Sequence, residues 1–153
     1  MSFTLGVISD THGLLRPEAV RVLESCDAVI HAGDIGSEEI LIALRALAPT
    51  YAVRGNVDWE PWALNLPVND FVEIAGHFFY ILHVLENMDL DPAAAGINVV
   101  ISGHSHQPHV FRKGNLLYMN PGSAGPRRFI KPVSMGKIVI DDKGLHPEFI
   151  DLS

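Results

Sequence analysis

The sequence predicts an α/β fold built on two sheets, and three observations lead there. Short apolar runs recur along the chain, amphipathic helical stretches separate the first three of them, and turn-bounded strands crowd the second half. A βαβαβ order implies parallel strands joined by right-handed crossovers. The 153 residues suffice for one domain, 1–153, with a complete core.

Residues 3–9 read as the first strand. Residues 16–25 form a helix whose stripe is Ala19, Val20, Val22 and Leu23, with Pro17 in the first turn, where its missing N–H does little harm. A second strand covers 27–32. Ser37 stands as N-cap of a second helix, acidic residues Glu38 and Glu39 fill its first turn, and Pro49 closes it after Ala48. Residues 51–54 make the third strand. Beyond it, 70–74 and 77–83 form a hairpin turning at Ala75-Gly76, and 97–102 is another strand. Residues 108–112 and 116–119 flank the Lys113-Gly114 turn, and 133–141 and 146–152 flank Asp142-Lys143-Gly144. This density of short strands predicts a second, largely antiparallel sheet packed on the first, with helices outside.

Hydrophobic residues make up 48% of the chain and charged residues 19%, a composition that folds rather than one that stays disordered. The net charge of −7 supplies no electrostatic footprint for nonspecific nucleic-acid or membrane binding. A nucleotide could still bind where metal ions bring the positive charge. Cys26 is the one cysteine, which excludes an internal disulfide, fits a reducing cytoplasm and is expected to be buried. No signal peptide and no bilayer-spanning stretch is expected.

Four motifs place metal-type ligands directly after apolar runs: Asp10-Thr11-His12, Gly33-Asp34, Gly55-Asn56 and Gly103-His104-Ser105-His106. Ligands in open α/β sheets bind beyond the carboxyl ends of the strands, so these residues should converge on one rim. The i, i+2 spacing of Asp10 with His12, and of His104 with His106, puts each pair on one side of an extended segment. His83 ends its own apolar run and can join them. Carboxylate, imidazole and carboxamide suit divalent ions such as Mn, Fe, Co, Ni and Zn. Packing alone would instead leave buried polar groups unpartnered, each costing about 1–3 kcal/mol.

Asp10-x-His12, Gly33-Asp34, Gly55-Asn56-x-Asp58, His83, Gly103-His104-Ser105-His106 and Asn120-Pro121-Gly122-Ser123 together resemble the calcineurin-like metallophosphoesterases, and among them the small single-domain bacterial and archaeal phosphodiesterases. The resemblance runs from Leu5 to about Ile140. It implies a four-layer α/β/β/α sandwich of two mixed sheets. It also implies two divalent metal ions, with manganese the leading choice. Asp10, His12, Asp34 and His106 would hold one ion. Asp34, Asn56, His83 and His104 would hold the other, with Asp34 bridging. A hydroxide shared by two ions about 3.5–4 Å apart would then attack phosphorus in line. A phosphoester substrate, nucleotide-derived esters included, follows from the resemblance, with phosphodiesters favoured over monoesters. Asn56, Asp58 and His83 are the candidate catalytic residues, Asp58 either orienting a ligand or water or capping its turn. The same fold resembles the phosphoesterase-like scaffold subunit of the retromer coat, which makes a binding module the rival reading, with a phosphomonoesterase or protein phosphatase the third.

The chain departs from the family pattern in two places. Relatives follow the His83 position with Gly and a second His, and here Val84-Leu85 stands. Some relatives place a His after the Gly-Asn motif, and here Val57 stands. The segment from His83 to Ile97 is short, and 91–95 allows about one turn of helix, so a more open site is expected. His31 is read as a partner orienting the ligands or as a satisfied core residue. Trp59 and Trp62 suit base stacking, loop packing or the interface of a homo-oligomer. Arg127 and Arg128 suit substrate phosphate or solvent, and Asn120 and Ser123 shape the loop beneath the site.

Overall fold

A computed structural model describes residues 2–153. Ten strands form two five-stranded sheets. The first sheet is built around β1 (Phe3–Ile8), which pairs in parallel with β2 (Ala28–His31), itself parallel to β3 (Thr50–Ala52). Helix α1 (Pro17–Leu23) links β1 to β2, and α2 (Glu38–Leu47) links β2 to β3. This is the expected βαβαβ unit. Ser37 does occupy the N-cap of α2, but its side chain makes no capping bond, so Glu38 and Glu39 remain as the favourable charges at that end.

Two antiparallel strands complete the first sheet. β9 (Ser134–Asp141) pairs with β1, and β10 (Gly144–Asp151) pairs with β9. The expected placement of these strands with a second, antiparallel sheet is therefore corrected. The reason lies in β9, which is apolar on both faces: Ile138 and Ile140 face the other sheet, while Met135 faces the helices. Such a strand needs cover on two sides, and a position beside β1 provides it.

The second sheet has the order β4 (Asn69–Ile74), β5 (His77–Leu82), β6 (Val99–Ile101), β8 (Leu116–Pro121), β7 (Pro108–Lys113). The two hairpins, β4–β5 and β7–β8, are antiparallel, but β6 runs parallel to both β5 and β8. The sheet is thus mixed rather than largely antiparallel. Val99, Val100 and Ile101 are all buried, which places β6 in the centre of the sheet, and β7 lies outermost so that β8 can reach it.

Three apolar layers hold the fold. Leu5, Val7, Ile30, Phe79, Ile81, Ile101 and Met119 fill the space between the sheets. Ala19, Leu23, Ile40, Leu41 and Leu44 seal the helices onto the outer face of the first sheet, where Cys26 is buried as expected. On the outer face of the second sheet, Tyr80, Leu82, Ile97 and Val100 are covered by Leu85, Met88 and Leu90. That cover is a single 3₁₀ turn at Leu85–Asn87 followed by turns, so the fourth layer of the sandwich is present only in reduced form. Among the described residues, no helix is long and apolar enough to cross a membrane.

Candidate metal centre

The strand ends deliver the candidate ligands through unusual backbone. Asp10, His12, Asp34, His104 and His106 all have positive φ, between 45° and 73°. Outside glycine, only Ala75 and Phe129 share that conformation among the described residues. Left-handed backbone in non-glycine residues costs free energy and collects at functional sites. Each strand therefore ends in a sharp turn that aims its side chain at the rim. The i, i+2 pairs reach the site through these turns rather than along an extended segment.

Asp10, His12 and His106 bring one ligand atom each to within 4.8 Å of one another, and Asp34, His83 and His104 do the same. The two groups touch. Asp10 Oδ1 lies 3.6 Å from His12 Nε2, 3.3 Å from His106 Nε2 and 3.8 Å from His83 Nε2. Asp34 Oδ2 lies 3.5 Å from His12 Nε2 and 3.1 Å from His83 Nε2, so one carboxylate oxygen stands between the clusters. The His12 and His106 rings are 5.4 Å apart, and those of His83 and His104 are 5.2 Å apart. Asn56 lines a cavity beside His83 and is solvent-exposed.

The remaining atoms of these side chains are fixed from behind. Asp10 Oδ2 accepts from Ser9 Oγ at 2.7 Å and from the His104 amide at 3.1 Å. Asp34 Oδ1 accepts the Val57 amide at 3.1 Å. His83 Nδ1 lies 2.8 Å from the Ala32 carbonyl, which requires the proton on Nδ1 and leaves Nε2 as a lone-pair donor. Three buried atoms then have no hydrogen-bond partner among the described residues: Asp10 Oδ1, His12 Nε2 and His83 Nε2. Buried polar atoms are ordinarily satisfied. These three point into the same space and are all Lewis bases, so the donor set fits a bound divalent cation.

Electrostatics agree. Burial alone would raise the Asp10 carboxyl, but His12, Ser9, His83 and His106 outweigh it and hold the group below the usual carboxylate range. Asp34 behaves alike, lowered by His83 and the Val57 amide against its own burial. Burial pushes His83 down, yet Asp34 and Asp10 more than offset it and raise the imidazole. His106 is lowered, first by burial and then by Arg128, His12 and Lys131, with Asp10 opposing. Two ionised carboxylates thus attract positive charge, which a proton on His83 or a metal ion supplies.

Glycine is required where loops press against these ligands. A Cβ on Gly55 would lie 2.8 Å from Asp34 Cγ, and one on Gly103 would lie 2.8 Å from Asp10 Oδ2.

Asp58 is buried and spends both oxygens on backbone. Oδ2 accepts from Gly55 at 2.8 Å and Ile35 at 3.1 Å, and Oδ1 accepts from Gly36 at 3.1 Å. It ties the Gly-Asn loop to the Gly-Asp loop. His31 is fully buried: its Nδ1 accepts the Gly33 amide at 3.0 Å, and its Nε2 meets Thr11 Oγ1 at 3.0 Å. Thr11 in turn donates to the Ile35 carbonyl at 2.8 Å. Burial drives the His31 pKa down to about 4, so the ring is neutral near pH 7. Asn120 donates to the Gly103 carbonyl and Ser105 Oγ, and Ser123 donates to the Asp10 carbonyl, which puts both beneath the site as expected. Sequence reasoning missed Ser9, Thr11 and Lys131, whose Nζ reaches the Ser105 carbonyl at 2.8 Å. No pattern marks Ser9 or Lys131, whereas Thr11 lies inside the Asp-x-His motif. Arg127 and Arg128 lie in an exposed loop with Phe129 and Ile130.

The pattern of the Calcineurin-like phosphoesterase superfamily domain matches residues 3–143. The chain belongs to that family. It is 37% identical to a probable metallophosphoesterase of Methanocaldococcus jannaschii over 153 aligned residues, 91% of this chain and 77% of the relative. The solved structure of a novel archaeal phosphodiesterase superposes with a TM-score of 0.82 at 25% identity, covering 98% of this chain and all of the other. Vacuolar protein sorting 29 from Cryptosporidium parvum shares the fold at a TM-score of 0.78 and 18% identity, covering 99% of this chain and 98% of that one. Membership makes the protein a phosphoesterase of metal-dependent type, with an α/β fold of two mixed sheets.

Proposed function

We propose that this protein is a dinuclear, metal-dependent phosphodiesterase, and the observation that carries the reading is the trio of unpartnered buried atoms on Asp10, His12 and His83. Asp10, His12, Asp34 and His106 would hold one cation. Asp34, Asn56, His83 and His104 would hold the other, with Asp34 shared. Bound divalent cations, of which manganese is our leading choice, supply Lewis-acid stabilisation of charge on the phosphoryl oxygens.

The chain's own residues do the rest. The Ala32 carbonyl holds the His83 tautomer, and Ser9 and the His104 amide hold Asp10, so little reorganisation accompanies loading. Asp58 positions the Asn56 loop against Asp34 rather than exchanging protons, because its oxygens are committed to three amides. Arg128 and Lys131 act electrostatically on His106 and add positive charge on that flank, which favours an anionic ester. Val57 and Leu85 stand where relatives carry histidines, so leaving-group protonation is weak, and activated leaving groups are preferred. General-acid assistance contributes about 10²–10⁴-fold where it exists. The cavities beside His83 and beside His104, about 300 and 410 Å³, leave room for a second ester group. The archaeal phosphodiesterase with the same fold supports the preference for diesters. A single buried thiol fits a cytoplasmic enzyme.

The rival reading is a protein-binding scaffold, favoured by Phe129 and Ile130, which are 93% and 96% exposed. The complete ligand set speaks against it, since a docking surface needs no convergent Lewis bases. The test is to strip metals, then restore Mn, Ni or Zn and follow a phosphodiester and a phosphomonoester beside an Asp34→Asn variant. Metal-dependent diester turnover that the variant loses is expected. No turnover of either ester by protein shown to hold metal would overturn the proposal.

A further inference from the structure

Resting on the phosphoesterase reading, we infer that the cavity beside His83 and Asn56 is a subsite for a planar aromatic group of the phosphoester, a nucleobase, stacked on Trp59. The cavity of about 300 Å³ is walled by Val68, Leu82 and Val84 on its apolar side and by Arg54, Asn56, Asn69 and Asn87 on its polar side. Trp59 closes it. This indole is 74% exposed, a costly position for so large an apolar surface, yet it is not loose: its Nε1 donates to the Asn56 carbonyl at 2.6 Å. The hydrogen bond fixes the ring to the very loop that carries a candidate metal ligand, and Trp59 lines the same cavity as Asn56 and His83.

The walls match a nucleobase better than a simple aryl group. The Asn69 and Asn87 carboxamides, which the metal reading leaves free, offer paired donors and acceptors, the arrangement that reads the edge of adenine. Arg54 is half-buried and enters no ion pair among the described residues, so its charge is available to a phosphate or a base edge. Val84, which replaces the family glycine after His83, contributes to the apolar wall. Trp62, by contrast, packs against the helix-side core and is not available for stacking.

The test is a fluorescence titration of zinc-loaded protein with adenosine 5′-phosphate, p-nitrophenyl phosphate and ribose 5-phosphate. Stacking on an aromatic side chain predicts that adenosine 5′-phosphate binds about tenfold or more tighter than ribose 5-phosphate. It should also quench the indole emission, which ribose 5-phosphate should not. Trp59→Ala should abolish the preference while leaving the affinity for ribose 5-phosphate within about twofold. Trp59→Phe keeps a stacking face but loses the bond to Asn56, so it should retain most of the preference. If Phe and Ala variants lose it equally, the indole acts through the loop and stacking is refuted. Equal binding of p-nitrophenyl phosphate and adenosine 5′-phosphate would refute the nucleobase assignment. Equal, unquenched binding of adenosine 5′-phosphate and ribose 5-phosphate refutes the subsite, and metal-dependent diester turnover in the same sample shows that the phosphoesterase reading survives. Absence of both phosphate binding and turnover would remove the two together.

Discussion

Replacing His31 by Asn should make the metal-free protein less sensitive to acid, although the variant is less stable at neutral pH. His31 is fully buried and neutral, with one nitrogen accepting from Gly33 and the other donating to Thr11. Its pKa falls to about 4 in the fold from 6.5 in the open chain. Below pH 6.5 the unfolded state binds a proton that the native state refuses. Stability is therefore fully present above 6.5 and drains away as pH falls towards 4. The gap between those values sets a ceiling of about 3 kcal/mol, of which about 1 kcal/mol is lost by pH 5.5 and about 2–3 kcal/mol by pH 4.5. Asp10 and Asp34, with lowered carboxyls, act at lower pH, and His83 and His106 are common to both proteins, so the difference between wild type and variant isolates His31. Urea unfolding in chelator at pH 7.5, 5.5 and 4.5 measures it. The variant should lose about 1–3 kcal/mol at pH 7.5 through its broken network, and the gap should close on acidification. Parallel pH profiles would refute the argument. An NMR titration of wild-type His31 provides a second reading, since protonation well above pH 5 would also refute it.

Two further outcomes follow from the loops around the site. Asp58→Ala strips the acceptor from three backbone amides, that of Ile35 buried, and should cost about 3 kcal/mol or more in urea unfolding, given roughly 1.5–3 kcal/mol for a hydrogen bond to a charged group; a cost below about 1 kcal/mol would show that water replaces the carboxylate. Gly103→Ala drives a methyl group against Asp10 Oδ2 and should weaken metal binding by about 10–100-fold in calorimetry while the circular dichroism of the sheets persists; unchanged affinity would mean that Asp10 tolerates displacement.

Much of the candidate site was legible because each candidate ligand follows an apolar strand and carries chemistry that packing does not need. The local signals around α1 and α2 were equally plain, with Pro17 and Pro49 marking a start and a stop. Asp58 resisted reading, since its position two residues after Asn56 suits catalysis and turn closure alike, and only the amides of Ile35 and Gly36, over twenty residues away, decide what it does. Ser9 and Lys131 carried no signal at all, because their contacts to Asp10 and Ser105 depend on how loops meet rather than on any local pattern.

By itself, then, the sequence determined the strand ends, the chemistry of the candidate ligands and the family, all properties of short segments whose periodicity and residue types do not depend on distant partners. Only the tertiary structure decided that β9 and β10 join the first sheet, that β6 runs parallel between β5 and β8, and that one oxygen of Asp34 stands between His12 and His83. Those are pairings between segments far apart in the chain. A strand apolar on both faces can satisfy itself beside several neighbours, and the choice is made by the packing of the whole core.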